Sequence, residues 1–143
     1  MTTEHELLSV LLVEDNPANV FLQKRIITKL GCAGEITVAT TGLEAFEMVK
    51  DWRDAPDRLP DLIFLDINLP AMNGWEFMDH YNDLEIPAEL RPVVLILTYS
   101  EYSKDRKRAK KTPGVMGFYN KPLTVPLLES ILQRYFPELA AGS

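Results

Sequence analysis

Apolar residues in this chain gather in short runs. Leu8-Ser-Val-Leu-Leu-Val13, Glu35-Ile-Thr-Val-Ala-Thr40, Asp61-Leu-Ile-Phe-Leu-Asp66 and Val93-Val-Leu-Ile-Leu-Thr98, with a weaker fifth at Val115-Met-Gly-Phe-Tyr119, have the length and the β-branched and Leu content of strands. The first, third and fourth are apolar with almost no alternation, as expected of central parallel strands covered on both faces. Between the runs the spacing becomes helical. Asn16-Pro17 supplies an N-cap and a proline at the first helical position, and Gly31 after Leu30 supplies a stop. Gly42 to Trp52 carries Ala45, Phe46 and Val49 on one face; Gly74 to about Asn82 carries Trp75, Phe77 and Met78. Leu128, Ile131, Leu132 and Tyr135, at offsets 0, 3, 4 and 7, mark the last helix. Arg53–Pro60 and Asp83–Pro92 read as Pro-containing surface loops.

Strands that alternate with helices along the whole chain imply parallel pairing through right-handed crossovers. Five such units predict an α/β fold: an open, doubly wound, five-stranded parallel sheet of order 2-1-3-4-5 between two helical layers, the flavodoxin-like arrangement. Ligands of such sheets bind outside the carboxyl ends of the strands, beside the switch point between strands 1 and 3. In this chain those ends are polar. Strand 1 ends in Glu14-Asp15, strand 3 in Asp66, strand 4 in Thr98, and strand 5 is followed by Lys121-Pro122.

The predicted strand order brings three carboxylates, a hydroxyl and an ammonium to one cleft. Clustered carboxylates repel unless a cation sits among them, and oxygen ligands without Cys or His suit a hard ion, Mg²⁺ above all. Asp66 lies in the middle of the arrangement, where its carboxylate can attack a phosphoryl group and form an acyl phosphate. Phosphoryl transfer then needs positioning and neutralisation of the equatorial oxygens, a task Mg²⁺, the Thr98 hydroxyl and the Lys121 ammonium can share. Taken singly, each residue has a plainer reading: Asp15 or Asn16 as a helix cap, Thr98 as a strand residue, Lys121 as a surface charge, Asn73-Gly74 as a turn. Their joint occurrence at the strand ends favours the chemistry.

Composition narrows the function further. A length of 143 residues suits one domain, and 46% hydrophobic with 25% charged residues is the usage of a globular fold. The single Cys32 excludes an internal disulfide, and together with His5 and His80 it cannot make a structural zinc site. No apolar run has the length a bilayer needs, and Met1–Glu6 lacks the basic flank and apolar core of a signal peptide, so a cytoplasmic location is expected. The net charge of −6 argues against nucleic acid as the main partner. It is unevenly spread, however. Lys104-Asp-Arg-Lys-Arg-Ala-Lys-Lys111 carries +5 and the rest of the chain −11. Only Tyr102 and Ala109 offer this basic helix an apolar anchor, so weak packing is expected, with Lys104, Arg106, Lys107, Arg108, Lys110 and Lys111 as an electrostatic docking face for an acidic partner. A merely solvated helix face is the plainer alternative.

Glu14-Asp15, the segment Asp66-Ile-Asn-Leu-Pro-Ala-Met-Asn-Gly74, Thr98 and Lys121-Pro122 together resemble the receiver domain of bacterial two-component response regulators, over roughly Leu7 to Tyr135. The resemblance implies that Asp66 is the phosphoacceptor, that Glu14, Asp15, Asp66 and the backbone carbonyl of Asn68 hold Mg²⁺, and that Lys121, before a cis proline, pairs with the phosphoryl group. It makes Thr98 and an aromatic residue of strand 5, Phe118, the switch pair, with the adjacent Tyr119 as substitute. It also assigns rate-tuning positions to Asn68, Tyr99 and Ser100. Tyr99 departs from the small residue usual there, and a ring beside the site is expected to slow dephosphorylation. By the same resemblance the chain is a stand-alone receiver at 7–136 with short tails at 1–6 and 137–143 and no output domain. It would take phosphate from a sensor histidine kinase or phosphotransfer protein and signal to a target protein through the face of helix 4, strand 5 and helix 5, which is also the candidate homodimer surface. It would catalyse its own phosphorylation and slow dephosphorylation without being a dedicated enzyme, and without binding DNA directly.

Rival readings fit less well. A flavin carrier wants a hydroxyl- and glycine-rich loop after strand 1, where Glu14 and Asp15 would repel a phosphate. A haloacid-dehalogenase-type phosphatase wants a second Asp two residues after its nucleophile, and Asn68 stands there. A pseudo-receiver that signals without phosphate finds support only in Tyr99.

Overall fold

The computed structural model describes residues 7–141. Five strands, β1 (Leu8–Val13), β2 (Ala33–Ala39), β3 (Leu62–Leu65), β4 (Val93–Thr98) and β5 (Val115–Asn120), form one parallel sheet of order β2-β1-β3-β4-β5. Among the described residues six α-helices connect or follow them: α1 (Pro17–Leu30), α2 (Gly42–Arg53), α3 (Gly74–Asp83), α4 (Ser103–Lys111), α5 (Val125–Tyr135) and α6 (Pro137–Ala141). The predicted topology is therefore the observed one. Among the described residues, no helix is long and apolar enough to cross a membrane.

The sheet's period of two divides its side chains between two cores. Leu11, Val13, Ile63, Leu65 and Val94 face α2 and α3 and pack with Val49, Phe77 and Met78. Val10, Leu12, Leu62, Phe64, Leu95 and Leu97 face the other way, toward Ile27 of α1 and Leu128 and Ile131 of α5. All four residues of β3 are buried, which explains its unbroken apolar run. A smaller third cluster joins Ile67, Trp75 and Ile96 to Ala109, the single buried residue of α4.

Local signals account for the helix ends. Asn16 Oδ1 accepts the Asn19 N–H at the start of α1, and Gly31, at φ 64°, closes its end. Asn73 and Glu76 form a reciprocal capping box on α3. Gly74 is required for space. A Cβ there would lie 2.6 Å from the Asp66 carbonyl oxygen and 2.7 Å from Ile67 Cα, so glycine lets α3 seat directly on the segment that carries Asp66.

Three expectations need correction. Strand β2 begins at Ala33 rather than Glu35, because Leu8 and Ala33 already pair across a register irregularity that Gly34 conceals in the sequence. Asp61 and Asp66 stand just outside β3, although their backbone N–H groups still bond Ser9 O and Val13 O of β1. The expected C-terminal tail begins as helix α6, whose Leu139 packs against the α1/α5 core; five residues are too few to show a helical period. The expected 1–6 tail, with His5, and residues 142–143 lie outside the described residues.

Candidate functional site

The carboxyl ends of β1, β3, β4 and β5 bring Glu14, Asp15, Asp66, Thr98 and Lys121 to one edge of the sheet. Glu14, Asp66, Thr98 and Lys121 are four of the five buried polar residues of the described chain; the fifth is Gln23. The Lys121 Nζ lies 2.5 Å from Glu14 Oε1 and 2.9 Å from Asp66 Oδ2, bridging two carboxylates that burial would otherwise leave uncompensated. Burial pushes the Lys121 pKa down, but the hydrogen bonds and charges of Glu14 and Asp66 outweigh it and hold the ammonium above the ordinary lysine range. The Lys121–Pro122 peptide is cis.

Each carboxylate is further fixed by the chain. Glu14 Oε2 accepts the Asn16 N–H at 3.0 Å, and Oε1 also accepts from Gln23 Nε2 at 3.3 Å. Asp66 Oδ1 accepts the Asn68 N–H at 3.2 Å. Asp15 is exposed. Oxygen atoms of Glu14, Asp15 and Asp66 lie within 4.8 Å of one another. That donor set contains neither nitrogen nor sulfur and is partly open to solvent, which fits a hard, water-retaining divalent cation such as Mg²⁺. Beside it runs an open cleft of about 520 Å³ lined by Asp15, Asn68, Trp75 and Asp105 among others.

The loop after β4 forms the opposite wall. The Thr98 hydroxyl accepts the Ser100 N–H at 3.2 Å, and the Ser100 hydroxyl donates to Asp105 of α4 at 2.5 Å. Asn120, which sequence reasoning passed over, donates to the carbonyls of Thr98 and Ser100 and accepts from Arg106. Tyr99 is 58% exposed; its hydroxyl donates to Asn19 Oδ1 at 3.2 Å, and its ring centroid lies 5.1 Å from Lys121 Nζ.

Phe118 and Tyr119 project from opposite faces of β5. Phe118 packs on the Ile96 and Ala109 cluster under α4, whereas Tyr119 belongs to the α1/α5 core and shares a hydroxyl hydrogen bond with Tyr135 at 3.0 Å. Tyr119 is thus tied to α5, on the face of β5 away from α4. The basic helix also departs from expectation. Tyr102 is 70% exposed and anchors nothing; instead the Arg106 guanidinium lies 4.7 Å from the Phe118 ring and that of Arg108 4.7 Å from the Trp75 ring. Its six cations do not share one face. Lys104, Lys107, Arg108 and Lys111 line one shallow cleft, while Arg106 and Lys110 border β5 beside Met116 and Phe118.

Gln23 was also missed. It occupies an inward position of α1, one turn before buried Ile27, and a polar residue inside an apolar stripe is the signal that marks it.

A parallel five-stranded sheet of order β2-β1-β3-β4-β5, with a lysine-bridged carboxylate cluster at its strand ends, defines a doubly wound α/β domain with its polar groups at the switch point. The family model "Response regulator receiver domain" matches residues 10–133, and this chain belongs to that family. The polar-differentiation response regulator DivK of Brucella anthropi is 30% identical over 128 residues, which cover 89% of this chain and 94% of DivK. The aerobic respiration control sensor protein ArcB of Escherichia coli K12 is 35% identical over 129 residues, 90% of this chain; the match spans only 15% of ArcB. Among solved structures, a two-component response regulator from Cytophaga hutchinsonii superposes with a TM-score of 0.82 at 29% identity, covering 92% of this chain and 99% of that one. The receiver domain of the sensor histidine kinase PA1611 from Pseudomonas aeruginosa PAO1, described with a magnesium ion coordinated in its active-site cleft, matches at 27% identity and a TM-score of 0.71, covering 91% of this chain and 98% of that one.

Proposed function

We propose that this receiver accepts a phosphoryl group on Asp66 from the phosphohistidine of a sensor kinase or phosphotransfer protein, acting in the cytoplasm as a phosphorylation-dependent switch. The observation that carries this reading is the Lys121 ammonium between Glu14 and Asp66, with a third carboxylate, Asp15, alongside. Glu14, Asp15, Asp66 and the Asn68 carbonyl would hold Mg²⁺, which when bound supplies positive charge to the phosphoryl oxygens. The Asp66 carboxylate attacks phosphorus, the phosphorus–nitrogen bond breaks, and the donor's ring, protonated on its other nitrogen, takes the electron pair and leaves as neutral imidazole. Asn68, whose N–H bonds Asp66 Oδ1, orients the carboxylate so that its other oxygen, now facing Lys121, is the attacking one. Lys121 moves with the charge, from Glu14 and Asp66 to a phosphoryl oxygen.

Thr98 and Phe118 then carry the signal. The Thr98 hydroxyl, held by the Ser100 N–H, turns to a phosphoryl oxygen, and Phe118 follows into the space beside Ile96. Movement of the β4–α4 loop is transmitted through Asn120 and the Ser100–Asp105 bond to α4, so that phosphorylation biases the α4–β5–α5 surface. That surface, with Lys104, Lys107, Arg108 and Lys111 along one stripe, suits an acidic target protein. Asn68, Tyr99 and Ser100 set how long the acyl phosphate lasts.

The test is incubation with Mg²⁺ and acetyl phosphate followed by intact-mass and peptide mapping. One phosphoryl group on Asp66, absent in Asp66→Asn and in excess EDTA, is the expected result. A folded chain that gains no mass is a pseudo-receiver, and the proposal fails.

A further inference from the structure

Gln23 is the buried polar residue that the proposed chemistry leaves unused. It is 3% exposed on the inward stripe of α1, and its amide donates to Glu14 Oε1 at 3.3 Å. Glu14 is 2% exposed and carries one more methylene than an aspartate, hence one more torsion to fix. Three donors fix it: the Asn16 N–H on Oε2, and Lys121 and Gln23 together on Oε1.

Of those donors, Lys121 is the one that must leave. An ammonium that pairs with an incoming phosphoryl oxygen gives up its contact with Glu14, and a buried carboxylate oxygen without a donor is costly. Gln23 is neutral and rooted in a helix, so it can stay on Oε1 without competing for the cation site.

We infer that Gln23 is a positioning residue for the metal site, the donor that holds Glu14 in place when Lys121 moves off it. The inference rests on the receiver reading above. Without the amide, Glu14 Oε1 depends on Lys121 alone, and its carboxylate must be ordered afresh whenever a divalent ion binds.

The experiment measures Mg²⁺ binding calorimetrically for the wild-type chain, Gln23→Met, which keeps length and removes the donor, and Ile27→Val, which perturbs the same stripe without touching Glu14. Loss of one hydrogen bond to a charged metal-site carboxylate predicts a dissociation constant about ten- to hundredfold weaker in Gln23→Met. Phosphorylation by acetyl phosphate should then need correspondingly more Mg²⁺ for half its maximal rate, with the rate at saturating Mg²⁺ kept within about twofold. Ile27→Val should bind Mg²⁺ as the wild type does. Equal affinity in Gln23→Met, an equal loss in Ile27→Val, or a fall in maximal rate at unchanged Mg²⁺ dependence overturns the inference. If Gln23→Met does not fold, the wild-type Gln23 side-chain amide resonance serves. It should shift along the Mg²⁺ titration with the binding midpoint, and a resonance that stays put overturns the inference. A wild-type chain that binds no Mg²⁺ instead overturns the receiver reading, and this inference with it.

Discussion

The Tyr99 hydroxyl is hydrogen-bonded to Asn19 Oδ1 across 80 positions of sequence, at 3.2 Å, so that a side chain from the β4–α4 loop reaches α1 over the lysine that bridges Glu14 and Asp66. On the proposed function, a ring in that position would narrow the approach of water to a phosphoryl group on Asp66. Tyr99→Ala should shorten the acyl-phosphate lifetime, and Tyr99→Phe, which keeps the ring but frees it from Asn19, should fall between the two. Loss of label from phosphorylated protein in excess EDTA measures it; equal lifetimes for wild type and Tyr99→Ala would dismiss a role for the ring.

Removing the bridging cation should destabilise the fold and open the site to metal. Lys121→Met leaves Glu14 and Asp66 buried and unpaired, a change that costs roughly 3–5 kcal/mol for a buried pair that loses one partner. Mg²⁺ should therefore raise the melting temperature of Lys121→Met more than that of the wild type, and bind it more tightly. Thermal unfolding with and without Mg²⁺ checks both, and an equal Mg²⁺ response in the two proteins counts against the bridge as the site's resident cation.

Gly74→Ala tests the seating of α3. Its new methyl would fall 2.6 Å from the Asp66 carbonyl oxygen, and backbone must move to admit it. Overpacking of this kind costs about 1–3 kcal/mol. The displacement acts on the segment that carries Asp66, so phosphorylation by acetyl phosphate should fall more than urea midpoints alone explain. A variant as active as wild type would show that the segment adapts freely.

Alkaline titration should separate the tyrosines. Burial pushes the Tyr81 phenol up to about 12 against the pull of Arg91, and burial with the Tyr119 hydrogen bond pushes Tyr135 up to about 12 as well. A phenol pKa raised in the folded state means that the unfolded chain loses its proton first. The stability these groups contribute is full below pH 10 and is lost as pH rises through about 12. Phenolate absorbance should show part of the five tyrosines ionising late, together with unfolding; Tyr135→Phe should remove part of the late step.

The fold was legible because the chemistry-bearing residues stand immediately after apolar runs: Glu14-Asp15 after β1, Asp66 after β3, and Thr98 at the end of β4. Order along the chain and the rule for parallel sheets then sufficed to bring them together. What escaped depended on tertiary contact. Gln23 interrupts an apolar stripe and looks like a lapse until Glu14 is seen beside it. Asn120 reads as the polar end of a strand, and only the loop carbonyls it receives explain it. The six cations of α4 form one run in the sequence, but helical geometry sends Arg106 and Lys110 to one side, and the rings of Phe118 and Trp75 lie against Arg106 and Arg108. Tyr102 is an aromatic residue beside the basic run, yet its side chain stays exposed.

The placement of β1 inside the sheet also bears on the order in which the nascent chain acquires its charges. Glu14 and Asp15 leave the ribosome first, and β3 delivers Asp66 directly alongside them, since β1 pairs with β3. Lys121 follows 55 residues after Asp66, behind two further strands. During synthesis the three acids of the cluster therefore emerge well before the lysine that bridges two of them in the folded chain.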